Sequence, residues 1–137
     1  MDAMSNAQSI LIAHKIIIEK LYFEREVDLP SDLELSSAFN KRIDINEVTK
    51  QYKVTISLAI NSLKNEVKIE VVVAGVFELA DTVPDEIKED VIQKNTVAIL
   101  FPYLRSEVTL ITAQPDFIPI VIPPININAL LENAARE

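Results

Sequence analysis

The sequence predicts an α+β domain in which one antiparallel sheet of long strands is covered by helix. Apolar and polar residues alternate in four segments, a helical pattern follows them, and a proline-rich stretch then excludes both helix and central strand. The chain has 137 residues, which suits one domain, and 49% of them are apolar, which is ample for a core. We expect residues 1–12 to form a flexible N-terminal segment and residues 13–137 a single domain.

The four strand-like segments are roughly His14–Leu29, Asp32–Ile43, Val48–Leu63 and Glu66–Leu79. In the first, one parity is apolar: Ile17, Leu21, Phe23, Val27 and Leu29. The third alternates most cleanly, which is typical of a half-buried antiparallel strand. Between the third and fourth, Lys64–Asn65 favours a short hairpin.

The second face of the fourth strand is not fully polar. It carries Lys68 and Glu70, but also Val72, Ala74 and Val76. We interpret this mixed face as one that is partly covered by another chain or by a ligand.

The helical cover is predicted to begin at Pro84, with Asp81 or Thr82 as its cap, and to be interrupted by Pro102. From Pro102 to about Ala113 apolar residues recur at helical spacing, at Leu104, Val108 and Ile111. Residues 114–124 hold four prolines and are predicted to be an extended connector. A short last helix is expected after Asn126 or Asn128.

The residue types argue against catalysis. Cys is absent, which excludes disulfides and thiolate metal sites, and a single Gly excludes glycine-rich phosphate loops. The one histidine, His14, reads as a solvated strand residue. Acidic residues between 81 and 90 are better explained as helix-start acids, with a carboxylate metal site as the alternative. We therefore expect no enzyme activity, no metal and no cofactor.

Net charge and hydropathy limit the partners. A net charge of −8 disfavours nucleic acid and favours basic partners. The N-terminus shows no export signal, and the apolar run near Ile118–Ile127 is too short and too rich in proline to span a bilayer. We expect a cytoplasmic protein that does not insert into membranes.

Apolar side chains crowd the connector, which cannot bury them by folding on itself. They are Phe117, Ile118, Ile120, Val121, Ile122, Ile125 and Ile127. Such residues must contact the sheet, another subunit or a bound chain. Taken as a set, they indicate an interface.

Four motifs in the same order resemble the SecB protein-export chaperones. They are Leu-Tyr-Phe-Glu at 21–24, Glu-Val-Val-Val-Ala-Gly-Val-Phe at 70–77, Ile-Leu-Phe-Pro-Tyr-Leu-Arg at 99–105 and Pro-Ile-Asn-Ile-Asn-Ala-Leu at 124–130. The third is the most specific, and the only glycine of the chain, Gly75, falls on a family glycine. The resemblance extends from about His14 to Leu131, which is nearly the whole chain.

The resemblance implies a four-stranded antiparallel Greek-key sheet with two helices on one face, assembled as a dimer of dimers. It also implies an ATP-independent holdase that binds unfolded or preprotein chains in apolar grooves for export and hands them to the SecA motor. The residues expected in the client groove are Leu33, Leu35, Phe39, Phe117, Ile118, Ile120, Ile122, Leu130 and Leu131. Those expected at oligomer interfaces are Val72, Ala74, Val76, Leu104, Val108 and Ile111.

The chain departs from the family pattern where SecA would bind. Glu24 and Glu70 match acidic family positions and are the expected SecA contacts, but Lys20 and Lys68 stand where the family has an acidic and an apolar residue. The link Leu29–Asp32 is also short, so we expect that wall of the client groove to be missing. Two alternatives remain open: a chaperone dedicated to one partner, such as an antitoxin, and an adaptor with no role in export.

Overall fold

The computed structural model describes residues 10–123. They form four strands, β1 (Leu11–Arg25), β2 (Leu35–Asn46), β3 (Gln51–Ser62) and β4 (Val67–Leu79), followed by helical segments. All pairings are antiparallel and the spatial order is β1-β4-β3-β2. The crossover of residues 26–34 leads from β1 to β2 at the opposite edge of the sheet, and β4 then returns to lie beside β1. This is a Greek key, and the predicted α+β fold is confirmed.

Strand β1 shifts register twice, between Ala13 and Lys15 and between Ile18 and Lys20. Each bulge moves the following side chains to the other face of the sheet. Ile17 therefore lies on the opposite face from Phe23, and the single parity predicted for this strand is wrong. The sequence does not reveal these register shifts, because the three consecutive isoleucines Ile16–Ile18 place apolar side chains on both faces of the strand.

The β3–β4 hairpin forms where it was predicted. Asn65 adopts a φ of 60°, and its N–H donates to the Ser62 carbonyl at 3.0 Å. Asparagine tolerates this left-handed conformation better than most residues. At the other end of β3, Lys50 adopts a φ of 59° in the β2–β3 turn.

The helical segments are α1 (Asp85–Asp90), a π-helical turn (Val91–Asn95) and α2 (Thr96–Thr112). The cap predicted at Asp81 or Thr82 is wrong. A turn closed by the Val83 N–H and the Ala80 carbonyl, 3.1 Å apart, precedes the helix, and Pro84 occupies the capping position without a side-chain hydrogen bond.

Proline 102 lies inside α2 instead of starting it. The ring of Pro102 is exposed. The carbonyl of Ala98, four residues earlier, receives no N–H from position 102 because proline has none, and Ala98 is exposed as well. Because water can reach this side of the helix, the missing hydrogen bond is tolerated. The break predicted at Pro102 therefore does not occur.

Helix α2 covers one face of the sheet and contacts β4, β3 and β1. The core between them is aliphatic and includes Val54, Ile56, Val71, Val73, Phe77, Leu100, Leu104 and Val108. The other face, which we call the open face, has no helix on it among the described residues. Within residues 10–123, no helix is long and apolar enough to cross a membrane.

Candidate functional site

An apolar cleft of about 620 Å³ lies at the end of the sheet where the crossover meets the extended residues 113–123. We call it the groove, and residues 113–123 the strap. The groove is lined by Leu29, Pro30, Leu33, Leu35, Asp116, Phe117, Ile118 and Ile120. A volume of this size accommodates several side chains of a bound chain.

The two walls of the groove contain no helix or strand, apart from Leu35 at the start of β2. One wall is the crossover and the other is the strap, which prolines 115, 119 and 123 keep out of regular hydrogen-bonded structure. Leu33 and Phe117 are half-buried, while Ile118 is 88% exposed. The groove thus combines an anchored apolar floor with an aliphatic side chain that is free to contact a ligand.

Side chains of α2 hold the strap in place. Arg105 Nε donates to the Ile122 carbonyl at 2.8 Å, and Thr109 Oγ1 donates to the Ile120 carbonyl at 2.8 Å. The Ile120 N–H in turn donates to Thr112 Oγ1 at 2.9 Å. Backbone groups that lack a sheet or helix partner are therefore satisfied by the helix beside them.

The start of the strap is held from β1. The rings of Phe23 and Phe117 meet edge to face with centroids 5.1 Å apart. Arg25 Nη1 donates to the Asp116 carbonyl at 2.6 Å. Arg25 also donates to the carbonyls of Glu26 and Val27, at 2.9 and 2.8 Å.

Five of the residues predicted for the client groove line it: Leu33, Leu35, Phe117, Ile118 and Ile120. Ile122 instead lines a neighbouring cleft between the strap and α2. Leu130 and Leu131 lie outside the described residues. Leu29 and Pro30 line the groove as well, so the prediction of a missing wall is wrong: β1 ends at Arg25 and β2 begins at Leu35, which leaves a link long enough to form the wall.

Phe39 does not line the groove. It is 6% exposed and packs edge to face against Phe101, with ring centroids 6.4 Å apart. Its place on the core face of β2 follows from the strand register, in which it pairs with Leu58. Phe39 therefore contributes to the core below the helix, and the structure corrects its assignment.

The residues predicted for oligomer interfaces separate into two groups. Val72, Ala74 and Val76 lie on the open face, opposite the core residues Val71 and Val73. Leu104 and Val108 belong to α2 itself and are fully buried against the sheet, so they support the fold of one chain and present no surface to another. Ala74 is only 1% exposed, so it likewise presents almost no surface to another chain. Ile111 is half-buried against the same core.

Apolar surface that a partner could cover lies elsewhere. On β1, the edge strand, the exposed large apolar residues are Ile12, Ile17, Ile18, Leu21 and Tyr22. On the outer side of α2 they are Tyr103 and Leu110. The helical periodicity alone could have located Tyr103 and Leu110, since they fall opposite the buried stripe.

Among residues 10–123, four cross-strand contacts between a lysine or histidine side chain and a glutamate carboxylate lie on the open face. Glu24 lies 3.7 Å from Lys68, and Glu70 accepts a hydrogen bond from Lys20. The other two are Glu78 with His14 at 2.9 Å and Glu19 with Lys53 at 2.8 Å. The expected SecA contacts Glu24 and Glu70 thus each have a lysine partner in the chain itself.

Glu24 also accepts a hydrogen bond from the Tyr22 hydroxyl at 2.6 Å. This hydrogen bond is the main cause that lowers the pKa of Glu24, and the charge of Lys68 lowers it further. The same contact raises the pKa of Tyr22. Glu24 therefore stays ionised to lower pH than an isolated glutamate.

No group of three or more histidine or acidic side chains within the described range is arranged to hold a metal ion. The lining of the groove is aliphatic and aromatic apart from one carboxylate residue, Asp116. Such a lining is suited to contact with apolar side chains.

The comparisons with known proteins agree with this geometry. The family model of the preprotein translocase subunit SecB matches residues 18–137. The protein-export protein SecB of an Azoarcus species is 32% identical over 143 aligned positions, covering 96% of this chain and 93% of its own. An uncharacterised protein of Methanocaldococcus jannaschii is 29% identical over 80% of this chain and 70% of its own.

A solved structure of similar fold is the SecB-like chaperone of Mycobacterium tuberculosis in complex with a ChAD peptide from an antitoxin. The TM-score is 0.67 at 15% identity, and the match covers 89% of this chain and 92% of the other. The four-stranded antiparallel sheet, the helix across one face and the match to the family model together identify this chain as a member of the SecB family.

Proposed function

We propose that this chain is an ATP-independent holdase that binds unfolded or preprotein chains in the groove during protein export. The observation that carries the proposal is the groove itself, a cleft of about 620 Å³ whose walls present aliphatic side chains on extended backbone. Membership of the SecB family supports a chaperone role.

The physical basis of binding is burial of apolar side chains. Each aliphatic or aromatic side chain of a client that is fully buried contributes about 1.5–3 kcal/mol, without regard to sequence. A groove that holds two or three such side chains therefore binds many clients with modest affinity. If several subunits assemble, a long client can occupy several grooves at once, which raises the overall affinity.

The experiment compares two exposed aliphatic positions. Ile118 is 88% exposed in the groove, and Val48 is 92% exposed in the β2–β3 turn at the far end of β2. Ile118→Asp should weaken binding of a permanently unfolded polypeptide by about tenfold, equivalent to about 1.4 kcal/mol. Val48→Asp, the matched control, should bind like the parent chain.

Binding is measured by fluorescence anisotropy, and suppression of aggregation of a heat-denatured protein is measured by light scattering. Because both side chains already face water, neither substitution should change the thermal midpoint appreciably. Equal binding by the parent and Ile118→Asp, or equal loss in both variants, would refute the assignment of the groove.

We further propose that copies of the chain assemble, as a dimer of dimers, in the cytoplasm. The support is the exposed apolar surface along edge strand β1 and on the outer side of α2, represented by Leu21 and Leu110. Light scattering on the purified protein tests this. A tetramer has four times the 15.4 kDa mass of the chain, and a monomer at micromolar concentration would contradict the proposal.

Delivery to SecA is the finer part of the proposal, with Glu24 and Glu70 as its contact. A basic surface on SecA has to compete with Lys68 and Lys20, which already pair with these carboxylates. Replacing both lysines with glutamine should therefore strengthen binding to SecA, as measured by calorimetry. Weaker binding would show that the lysines themselves make the contact.

A chaperone dedicated to one partner is the second candidate. The solved SecB-like chaperone of similar fold is in complex with an antitoxin peptide, and this complex supports the dedicated chaperone as the alternative. Aggregation assays with several unrelated unfolded proteins separate the two functions. A general holdase protects all of them, whereas a dedicated chaperone protects only its own partner.

A further inference from the structure

We propose that Arg25 is a positioning residue that sets the separation of the two groove walls and so keeps the groove ready to bind. This inference rests on the proposed function for its effect on clients, but the structural role can be tested without it. It concerns a side chain that belongs neither to a motif of the family resemblance nor to the apolar lining of the groove.

Arg25 lies where the two walls meet. It is the last residue of β1 and occupies the same face as Phe23, so that its side chain extends towards the groove. Two of its nitrogens, Nε and Nη2, donate to the carbonyls of Glu26 and Val27 in the crossover. The third, Nη1, donates to the carbonyl of Asp116 in the strap.

The hydrogen bond to Asp116 joins residues that are 91 positions apart in sequence, while the other two fix the guanidinium against the two residues that follow it. Asp116 has a φ of 57°, a left-handed conformation that is uncommon for a residue with a side chain. The left-handed residue lies where the strap turns between Gln114 and Phe117, and its carbonyl accepts from Arg25. The position of this carbonyl therefore depends on a side chain of β1.

The far end of the strap does not depend on Arg25. Residues 120–122 are held by Arg105, Thr109 and Thr112 of α2. Within the described part of the chain, residues 115–118 are held by the Arg25 hydrogen bond and by the contact between the Phe23 and Phe117 rings. Loss of Arg25 should therefore free the near end of the strap and the start of the crossover, while the helix and the sheet stay in place.

A planar guanidinium is needed for this role. It presents several N–H donors in fixed directions, whereas a lysine ammonium is a single point of charge. Arg25→Lys keeps the charge but cannot hold three carbonyls with this geometry. If the walls separate or collapse for part of the time, the apparent dissociation constant for a client rises in inverse proportion to the fraction of grooves that remain competent.

The test uses the full chain with Arg25→Met, Arg25→Lys and the control Arg42→Met. Arg42 is on the open face and its side chain is 78% exposed, so the control removes the same charge away from the groove. Hydrogen exchange measured by mass spectrometry reports each segment separately. The client probe is fluorescein-labelled, reduced and carboxymethylated α-lactalbumin, a permanently unfolded polypeptide.

We expect both Arg25 variants to exchange about tenfold faster than the parent in residues 26–34 and 113–118, with β3, β4 and α2 unchanged. Their affinity for the probe should fall by about tenfold. Arg42→Met should match the parent in both measurements. This local pattern would not arise from a general loss of stability, which would accelerate exchange in the sheet as well.

Three results would overturn the proposal: unchanged exchange in either wall, acceleration that extends into β3 and β4, or full restoration by Arg25→Lys. Faster exchange in both walls with unchanged affinity would also overturn it, because wall spacing would then not govern binding. If the parent chain fails to bind the probe, the proposed function fails, and the exchange data alone decide whether Arg25 joins the walls.

Discussion

Substitution of the only glycine, Gly75→Ala, should destabilise the protein although it improves the intrinsic preference for a strand. Gly75 lies on the core face of β4, opposite Val54. A β-carbon at this position would lie 2.6 Å and 2.8 Å from the Cε2 and Cζ atoms of Phe77 and 2.9 Å from Cδ2 of Leu100. All three distances are shorter than an ordinary van der Waals contact, so the added methyl group would clash with both side chains.

The neighbouring side chains have no room to retreat, because both Phe77 and Leu100 are fully buried. Overpacking of this kind costs about 1–3 kcal/mol. Replacing glycine in a strand recovers about 0.5–1 kcal/mol of that loss. From the middle of the two ranges, the net expectation is a reduction of about 1 kcal/mol in the free energy of unfolding.

A double-mutant cycle with Leu100→Ala tests whether the clash with Leu100 causes the loss of stability in Gly75→Ala. Leu100→Ala alone should cost about 2–5 kcal/mol, since it leaves a cavity. In the double variant the methyl group added at position 75 fits into that cavity, so the combined cost should be smaller than the sum by about 1 kcal/mol or more.

The assay is urea unfolding followed by far-ultraviolet circular dichroism, at one fixed protein concentration because assembly contributes to apparent stability. A Gly75→Ala protein as stable as the parent would refute the packing argument. Additivity of the two substitutions to within about 0.5 kcal/mol would refute the role of Leu100 in it.

Three further predictions concern the hairpins and the helix. The pKa of Glu66 is lowered below its ordinary 4.5, mainly by the hydrogen bond from Ser62, so its contribution to stability is present above pH 4.5 and lost as the pH falls through the lowered value. Urea unfolding of Glu66→Gln should therefore change less than that of the parent on acidification, and an equal change would contradict this. Lys50→Gly should raise the free energy of unfolding by about 0.5–1 kcal/mol, because it relieves a left-handed residue, and a lower urea midpoint would be the contrary result. Leu110→Asp, at a side chain 64% exposed, should leave the fold intact but lower the mass measured by light scattering, whereas Leu104→Asp should abolish folding as judged by circular dichroism.

The strands were predictable because their evidence is local. In β3 apolar residues alternate with polar ones except at Ala59, and the register in the structure places Val54, Ile56, Leu58 and Ile60 in the core as that pattern requires. The hairpin at Asn65 follows from a property of one residue type. Strand β1 failed the same reasoning, because its bulges are set by pairing with β4 and not by its own sequence.

The helix shows the limit of rules on single residues. Proline 102 carries a strong local signal for a break, yet α2 continues through it, because the packed face formed by Leu100 and Leu104 holds the helix on the sheet. The π-helical turn had no signal of its own. A π-helical turn contains one residue more than an α-helical turn and so rotates the residues on its two sides relative to each other. As a result, both Val91 and Leu100 face the core.

The candidate site was only partly predictable. Proline spacing and apolar content identify the strap as an extended segment with an interface, whereas the assignment of Phe117, Ile118 and Ile120 to a groove came from the family resemblance; in the structure these three residues line the cleft. The hydrogen bond between Arg25 and the Asp116 carbonyl could not be predicted from the sequence, because the two residues are 91 positions apart. The open face likewise needed the register of β1 against β4 to show which lysine pairs with which glutamate.

From its amino acids alone, this chain specified four strands, an extended apolar strap, a net negative charge and the absence of cysteine. These properties follow from composition and from the spacing of apolar residues over short stretches of sequence. The tertiary structure decided which apolar side chains close the core and which remain in the groove, as Phe39 and Ile118 illustrate. That division depends on contacts between segments far apart in sequence, and no local pattern encodes the distance between them.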